Sequence, residues 1–456
     1  MSPLPPQTAA PLFRRTARAV ALALGLTVAL VAPQSSAGVP GDLDHSVADS
    51  GVVTTNLGGT YDWAYAVVAQ PDGKLVVAGV SNAGTTHDFA LARYNADLSL
   101  DRGFGKDGTV RTDFGDSFDW AYAVALQPDG KIVVGGVSDS SGSRDFAIAR
   151  YLRDGSLDVG FGQRGLATLG PRPISAETIH GLVVEPGGSI VAGGVTFDDR
   201  FTLKPNADFM LTRLTPEGRM DPTFGVGGVT TTDFAGGSYD EPWAMARQPD
   251  GSLLLGGYTY GTGPDATGTG TEVAPYGCDD LALARYTPQG MLDDTFGRGG
   301  TVITDAGTLD EEISGLATTP DGHIVVAGHV NGEQRGDMLL GRFRPDGSLD
   351  DTFGGHGFSV LAPLGSRSER FSAVALQPDG RIVAAGQVAH GASGDFGVVR
   401  FTPEGALDPS FGTGGIKAID FDGREDRVRA VAVQPDGKIV AVGPSETDFG
   451  LVRLHG

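Results

Sequence analysis

The 456-residue chain holds one cysteine, three tryptophans and eight histidines. The single thiol, Cys278, excludes an intrachain disulfide, so packing alone must hold the fold. The histidines are scattered without ligand spacing. No His-Glu-x-x-His helix, Gly-x-Ser-x-Gly elbow or P-loop is present, which removes zinc peptidase, α/β-hydrolase and P-loop nucleotide chemistry. Basic residues are scarce as well: 34 Lys and Arg stand against 56 Asp and Glu, a net charge of −22. That acidity argues against nucleic acid and anionic membrane as partners. Helix-period apolar patterning is missing throughout. The one long apolar run, Ala19 to Ala32, is too short to anchor in a bilayer.

Glycine is abundant, at 71 residues, without the Gly-X-Y period of collagen. The glycines mark a tandem repeat. A turn of the form Gln-Pro-Asp-Gly recurs seven times with variations, its prolines at Pro71, Pro128, Pro186, Pro249, Pro320, Pro378 and Pro435. Such periodicity overrides a domain count taken from length, because one unit alone cannot bury its apolar surface. In the second unit, Ala121 to Leu126 and Lys131 to Val134 flank the turn. Asp145 to Tyr151 follows, then a second turn, then Leu157-Asp158-Val-Gly-Phe161-Gly162 and the weaker Leu166 to Leu169. Four short runs, with Ile132 to Val134 β-branched, joined by Gly-rich turns predict a four-stranded antiparallel blade in each unit. Blades set radially would bury both faces of every sheet, which accounts for apolar runs without alternation.

An Asp followed five residues later by an Arg appears in all seven units, from Asp88/Arg93 to Asp448/Arg453. The last pair ends the chain, so the seventh unit lacks a fourth strand. Leu43 to Thr55 supplies a degenerate copy of that missing element, with Val47-Ala48 in place of Phe-Gly. The expected fold is therefore all-β: a seven-bladed β-propeller of four-stranded antiparallel blades, closed by the N-terminal strand. Closure leaves no free sheet edge, and a monomer is expected. Five apart on a strand, Asp and Arg point to opposite faces, so each Arg is expected to reach an Asp across the turn or in the next blade, in an ionic network that locks blade to blade.

Together, Gln-Pro-Asp-Gly-Lys-Ile-Val-Val, Asp-Phe-Ala-Leu-Ala-Arg-Tyr and Leu-Asp-x-x-Phe-Gly resemble the bacterial delta-60 repeat family, in register over nearly all of the chain after residue 40. The turn departs from the pattern at Glu185-Pro-Gly-Gly188 and at Thr319. The resemblance implies a propeller-like repeat protein, often exported, and carries no established catalytic residues.

Export is also expected from the N-terminal residues themselves. Arg14, Arg15 and Arg18 precede the apolar run, and Ser35-Ser36-Ala37 follows it, the layout of a secretory signal peptide. Arg14-Arg15 permits a twin-arginine signal, but the following Thr-Ala-Arg matches one poorly, so the general secretory route is expected. Residues 1–37 are assigned to the signal peptide and 38–456 to the repeat domain. Loss of three arginines would take the charge from −22 to −25.

Nine residues before each turn proline stands a carboxylate: Asp62, Asp119, Glu177, Asp240, Glu311, Glu369 and Asp426. These should ring one mouth of the central channel. Extra acids sit close by, and Asp113, Asp116, Asp119 and Asp420, Asp422, Asp426 each place three within seven residues. Calcium takes such oxygens; the other account makes them turn caps and salt-bridge partners. Next to the ring the units differ. Trp63, Tyr65, Trp120, Tyr122 and Trp243 fall there in the first, second and fourth units, and Arg427 and Arg429 in the seventh. Aromatic and Arg side chains anchor interfaces, and aromatic faces beside carboxylates suit sugars. The expectation is a secreted, non-catalytic binding or scaffold protein for a glycan or an extracellular protein. The alternative is a polysaccharide hydrolase or lyase using mouth carboxylates.

Overall fold

The computed structural model describes residues 38–456 apart from 49, 83–85, 171–174, 199–205, 235, 237, 261–278, 308–309, 332–335, 362–368, 391–392 and 422–425. The expected signal peptide, Cys278 and Asp422 lie outside the described residues.

Each repeated turn folds as its sequence dictates. Gln70 N–H donates to Lys74 C=O and Gly73 N–H to Gln70 C=O, with Gly73 at φ +84°, a conformation glycine adopts without strain. The glutamine that opens the motif has its own task. Gln127 Nε2 donates to Gly188 C=O, Gln248 Nε2 to Gly322 C=O, and Gln434 Nε2 to Gly73 C=O, so the turn of one unit is tied to the turn of the next.

The hairpins build an all-β fold with no helix among the described residues. Twenty-eight strands form five four-stranded sheets and one eight-stranded sheet. In the first unit the order is Asp62–Ala69, Leu75–Ser81, Asp88–Tyr94 and Thr109–Thr112, antiparallel throughout. The eight-stranded sheet joins the third and fourth units through a single parallel bridge, Ala207 to Tyr239. One sheet draws on both chain ends. Val52–Thr55 pairs with Asp448–Leu454, Val52 opposite Val452, beside Ile439–Ser445 and Ala430–Val433.

The strands Leu75–Ser81 and Asp88–Tyr94 are buried along their whole length. Their side chains divide between two neighbours by strand alternation. Leu75, Val77, Ala90 and Ala92 pack with Val440, Val442, Phe449 and Leu451 of the seventh unit. Val76, Ala78, Phe89 and Leu91 pack with Ala121, Ile132, Val134 and Ala147 of the second. The apolar runs are continuous because both faces of the sheet are core. The first strands pack in succession: Asp62–Ala69 on Asp119–Leu126, then Ser175–Val184, Tyr239–Arg247, Glu311–Thr318, Arg370–Leu376 and Ala430–Val433, which meets Asp62–Ala69 again.

Candidate functional site

The pairing of the first strands is broken at one place in each of six units. The register jumps between Ala64/Ala66, Ala121/Ala123, Ile179/Gly181, Pro242/Ala244, Ile313/Gly315 and Phe371/Ala373. The skipped residues are Tyr65, Tyr122, His180, Trp243, Ser314 and Ser372. Arg429 holds the same place in the seventh unit, directly before Ala430–Val433. A bulge leaves its extra residue unpaired and re-aims that side chain. All seven line one cavity of about 510 Å³ to which every unit contributes. Opposite each bulge stands a glycine: Gly79, Gly136, Gly194, Gly257, Gly328, Gly386 and Gly443. A Cβ there would fall 1.7–2.1 Å from a carbonyl oxygen of the facing strand, Trp63 O in the first unit and Arg427 O in the last. Only glycine admits that approach.

The cavity has two unlike flanks. On one, Tyr65 and Tyr122 meet edge-on at 5.1 Å, Tyr122 lies 5.7 Å from His180, and His180 lies 4.6 Å from Trp243. Burial pushes His180 down to about 4, so its imidazole is neutral at pH 7, and burial raises both tyrosines. On the other flank stand Arg370, Arg427 and Arg429. Arg429 lies over the Tyr65 ring at 5.2 Å. Burial, then Arg427 with Arg370 in support, pushes Arg429 down to about 10, which leaves it cationic. Neither Arg370 nor Arg429 has a carboxylate partner among the described residues, and the Nε of each is buried without a hydrogen bond. Glu312 is the carboxylate of the cavity wall, bonded by Ser314 Oγ at 2.6 Å.

Five expected ligand-binding residues, Tyr65, Tyr122, Trp243, Arg427 and Arg429, thus share one cavity. Trp120 lines a second one, of about 540 Å³, with Tyr61, His87, Phe118 and Tyr122. Trp63 lines neither; its ring lies 4.9 Å from Tyr61 and 6.2 Å from Trp120. His180, Arg370 and Glu312 belong to the same two sequence columns, one and three residues past the carboxylate, and were legible there.

The carboxylate column does not ring the cavity mouth. Its members are buried, and none lines either cavity. Five of them, Asp62, Asp119, Asp240, Glu311 and Asp426, cap the incoming loop, whose amides would otherwise be orphaned, while Glu369 accepts from Ala389 N–H of the second strand. Asp62 accepts from Leu57 N–H at 2.6 Å, Asp119 from Phe114 at 2.8 Å, Asp240 from Phe234 at 2.9 Å and Glu311 from Ala306 at 2.7 Å. Of the calcium candidates, Asp113 and Asp119 come together with Asp88, while Asp116 is exposed and outside that group. Asp420 and Asp426 adjoin Asp395, and burial followed by those two charges pushes Asp426 up to about 6. Two further groups are Asp208/Asp233/Asp240 and Asp280/Asp305/Glu311, in which the sequence offers Asp233 and Asp305 as extra acids beside the column and the structure adds Asp208 and Asp280. Their signal was an acid directly after the fourth strand.

The third-strand arginines lie away from the cavity. Arg93 Nε donates to Asp101 at 2.8 Å, its guanidinium covers Phe104 at 4.5 Å, and Nη1 reaches Arg153 C=O of the second unit. Arg150, Arg213, Arg285, Arg342 and Arg400 likewise meet the Asp eight residues on and the Phe of the same unit. The ion pair is therefore internal to a unit, and its link to the next is a charged hydrogen bond. Arg453 has no such Asp ahead of it and pairs with Asp44 at 2.8 Å, while Nη1 reaches Ala96 C=O.

Five segments, residues 70–104, 127–161, 319–353, 377–411 and 434–456, match the family described as "Domain of unknown function (DUF5122) beta-propeller". These are β-propeller repeats. The two unmatched units, the third and fourth, carry the altered turn and the longest insertion. No curated protein matches the chain. Among solved structures the chain is similar to a catalytically inactive virginiamycin B lyase from Staphylococcus aureus with quinupristin, at 13% identity and a TM-score of 0.50 over 88% of this chain and 99% of that one. A polysaccharide lyase aligns at 11% identity and a TM-score of 0.49, over 91% of this chain and 96% of that one. The hydrazine synthase of Kuenenia stuttgartiensis aligns at 12% and 0.48, over 88% and 97%. At these identities the likeness is one of fold.

Proposed function

We propose that the chain is an exported, closed seven-bladed propeller of the delta-60 repeat class that binds an acidic polysaccharide without transforming it. The blade count is supported by twenty-eight strands, four per unit, with the eight-stranded sheet read as two blades that touch at one bridge. Closure is supported by Val52–Thr55 on Asp448–Leu454 and by Asp44 on Arg453. Export rests on the basic and apolar pattern of residues 1–37.

The observation that carries the binding role is the two-sided cavity. Aromatic faces suit the C–H faces of sugar rings. Arg370 and Arg429, without carboxylate partners among the described residues, suit uronate or sulfate groups by paired N–H···O bonds. Glycoside hydrolysis needs two carboxyl groups about 5–10 Å apart, and the cavity wall offers Glu312 alone among the described residues. The neutral imidazole of His180 beside cationic arginines is the feature that favours a lyase instead.

The test is a panel of neutral, uronate-bearing and sulfated glycans, with release of reducing ends measured in parallel. Binding to the acidic members that falls with salt and weakens about tenfold or more in Arg429→Ala or Arg370→Ala, without new reducing ends, supports the reading. Equal binding to neutral glycans, or none, overturns it; turnover lost in His180→Gln replaces it with the lyase.

A further inference from the structure

Asp280, on the third strand of the fourth unit, is 5% exposed, and its carboxylate has no hydrogen bond and no ion pair among the described residues. The charges that act on its carboxylate are Glu311 and Asp305, both of the same sign. Asp305 follows the fourth strand Thr301–Thr304, and Glu311 opens the first strand of the next unit. One ligand oxygen from each of the three lies within 4.8 Å of the others. Oxygens around a common calcium ion, each at 2.3–2.6 Å, stand at most about 5 Å apart. A buried carboxylate such as Asp280, acted on by two charges of its own sign, is costly unless a cation joins it.

The same molecule contains the comparison that makes this specific. Asp88, Asp113 and Asp119 form the equivalent group one junction after the first unit. There Arg111 is ion-paired with Asp88, Thr86 Oγ1 donates to Asp88 at 3.3 Å, and Ser117 Oγ donates to Asp119 at 2.7 Å. Arg111 pairs in register with Ala90; the residue in that register in the fourth unit, opposite Ala282, is Ile303. The first junction supplies its own guanidinium, and the fourth supplies an aliphatic side chain. Acids also crowd the outside of the fourth junction. Asp279, bridged to Asp310, is pushed up to about 7 by burial first and then by Asp310, Glu312, Asp280 and Glu241.

We propose that Asp280, Asp305 and Glu311 form a calcium site that joins the fourth and fifth units. The donor set is all oxygen, without imidazole or thiolate, which selects a hard cation over zinc or copper. The site does the work at this junction that Arg111 does at the first, and it is independent of any ligand in the central cavity.

Calcium titration by calorimetry, with melting temperatures in chelator and in millimolar calcium at matched ionic strength, tests it on the full chain. The expected result is calcium binding with a raised melting temperature in calcium. Asp280→Asn should weaken that binding about a hundredfold or more, since losing a direct ligand exceeds the 10–100-fold of an outer-shell change. Ile303→Arg should abolish the calcium response and raise the melting temperature in chelator, because it installs the counter-ion of the first junction. Asp113→Asn, at the self-neutralised junction, should leave binding unchanged. Identical melting temperatures of the wild-type chain in chelator and calcium overturn the proposal, as does a calcium response that survives Asp280→Asn or disappears with Asp113→Asn alone.

Discussion

The third-strand arginines and the bulge residues each hold one position in every repeat, yet they behave as opposites. Seven arginines make the same three contacts in unit after unit: a carboxylate, in six of them the face of a phenylalanine, and in nearly all a carbonyl of the next unit. The bulge column is Tyr65, Tyr122, His180, Trp243, Ser314, Ser372 and Arg429, with no common chemistry. The backbone around it nonetheless repeats, with a facing glycine in all seven units and a register jump in six. The fold is maintained where side chains are the same, and the cavity lining is free to vary where only the backbone is fixed. On the binding role proposed above, placing different side chains on one rigid bulge is what would turn a repeat into a binding site.

The largest expected effect comes from the seam. Removing residues 38–57 takes away the outer strand Val52–Thr55, the Asp44 partner of Arg453 and the Pro40 C=O that accepts Gly412 N–H. The truncated chain should lose cooperative unfolding or melt far below the parent in calorimetry. The point substitution Asp44→Ala strands the Arg453 guanidinium, whose side chain is 4% exposed. Breaking a buried pair in this way costs about 3–5 kcal/mol, measurable by urea titration. If Asp44→Ala costs no more than an exposed substitution, the seam is not a load path.

Next in size is the glycine opposite a bulge. Gly194→Ala would set a methyl 1.9 Å from Thr178 O, so the strands must part. Overpacking of this kind costs about 1–3 kcal/mol, and it should also widen the cavity and change ligand binding. Gly437→Ala has open space around its Cβ but sits at φ +85°, so its smaller loss should leave binding intact. Equal effects on binding would separate the bulge from the site.

Much of this was legible in the residues. The turn motif and its spacing gave the units, and the absent Leu-Asp-x-x-Phe-Gly after Arg453 pointed to Asp44. The bulge was not legible, because plain alternation puts Trp63 and Tyr65 on one face, whereas the jump between Ala64 and Ala66 sends Tyr65 into the cavity and leaves Trp63 outside it. Its trace was the repeated glycine at Gly79, Gly136 and their equivalents. The carboxylate column was correctly found but misplaced, since Asp119 turns back to Phe114 N–H instead of facing solvent. A sequence shows which residue types recur; it does not show which backbone amide five residues away lacks a partner.

Acidification should act on the two regions in different windows. His180 titrates near its ordinary 6.5 when unfolded and at about 4 when folded. A depressed folded value means stability fully present above 6.5 and lost as pH falls toward 4. Asp350 and Asp408, held down to about 2, lose their contribution only below the ordinary 3.8. Asp279 and Asp426, raised to about 7 and about 6, act in the opposite direction over the same range, so the check is a difference: from pH 7 to pH 4 the urea midpoint should lose more in the parent chain than in His180→Gln. A decline unchanged by that substitution would assign the acid sensitivity to other groups.

The smallest effect on stability is expected from Trp243→Ser. Serine already stands at this bulge in the fifth and sixth units, as Ser314 and Ser372, so the backbone accepts it. Trp243 is 36% exposed and gives up chiefly its contact with His180 at 4.6 Å. An edge-on aromatic pair contributes about 0.5–1.5 kcal/mol beyond burial, so a loss near 1 kcal/mol is expected in urea. That is well short of the loss from Asp44→Ala. The same substitution removes a ring from the aromatic flank, and affinity for an acidic glycan should fall while the salt dependence set by Arg370 and Arg429 stays. A loss of 3 kcal/mol or more would make the bulge column as structural as the arginines, and the contrast between the two regions would fail.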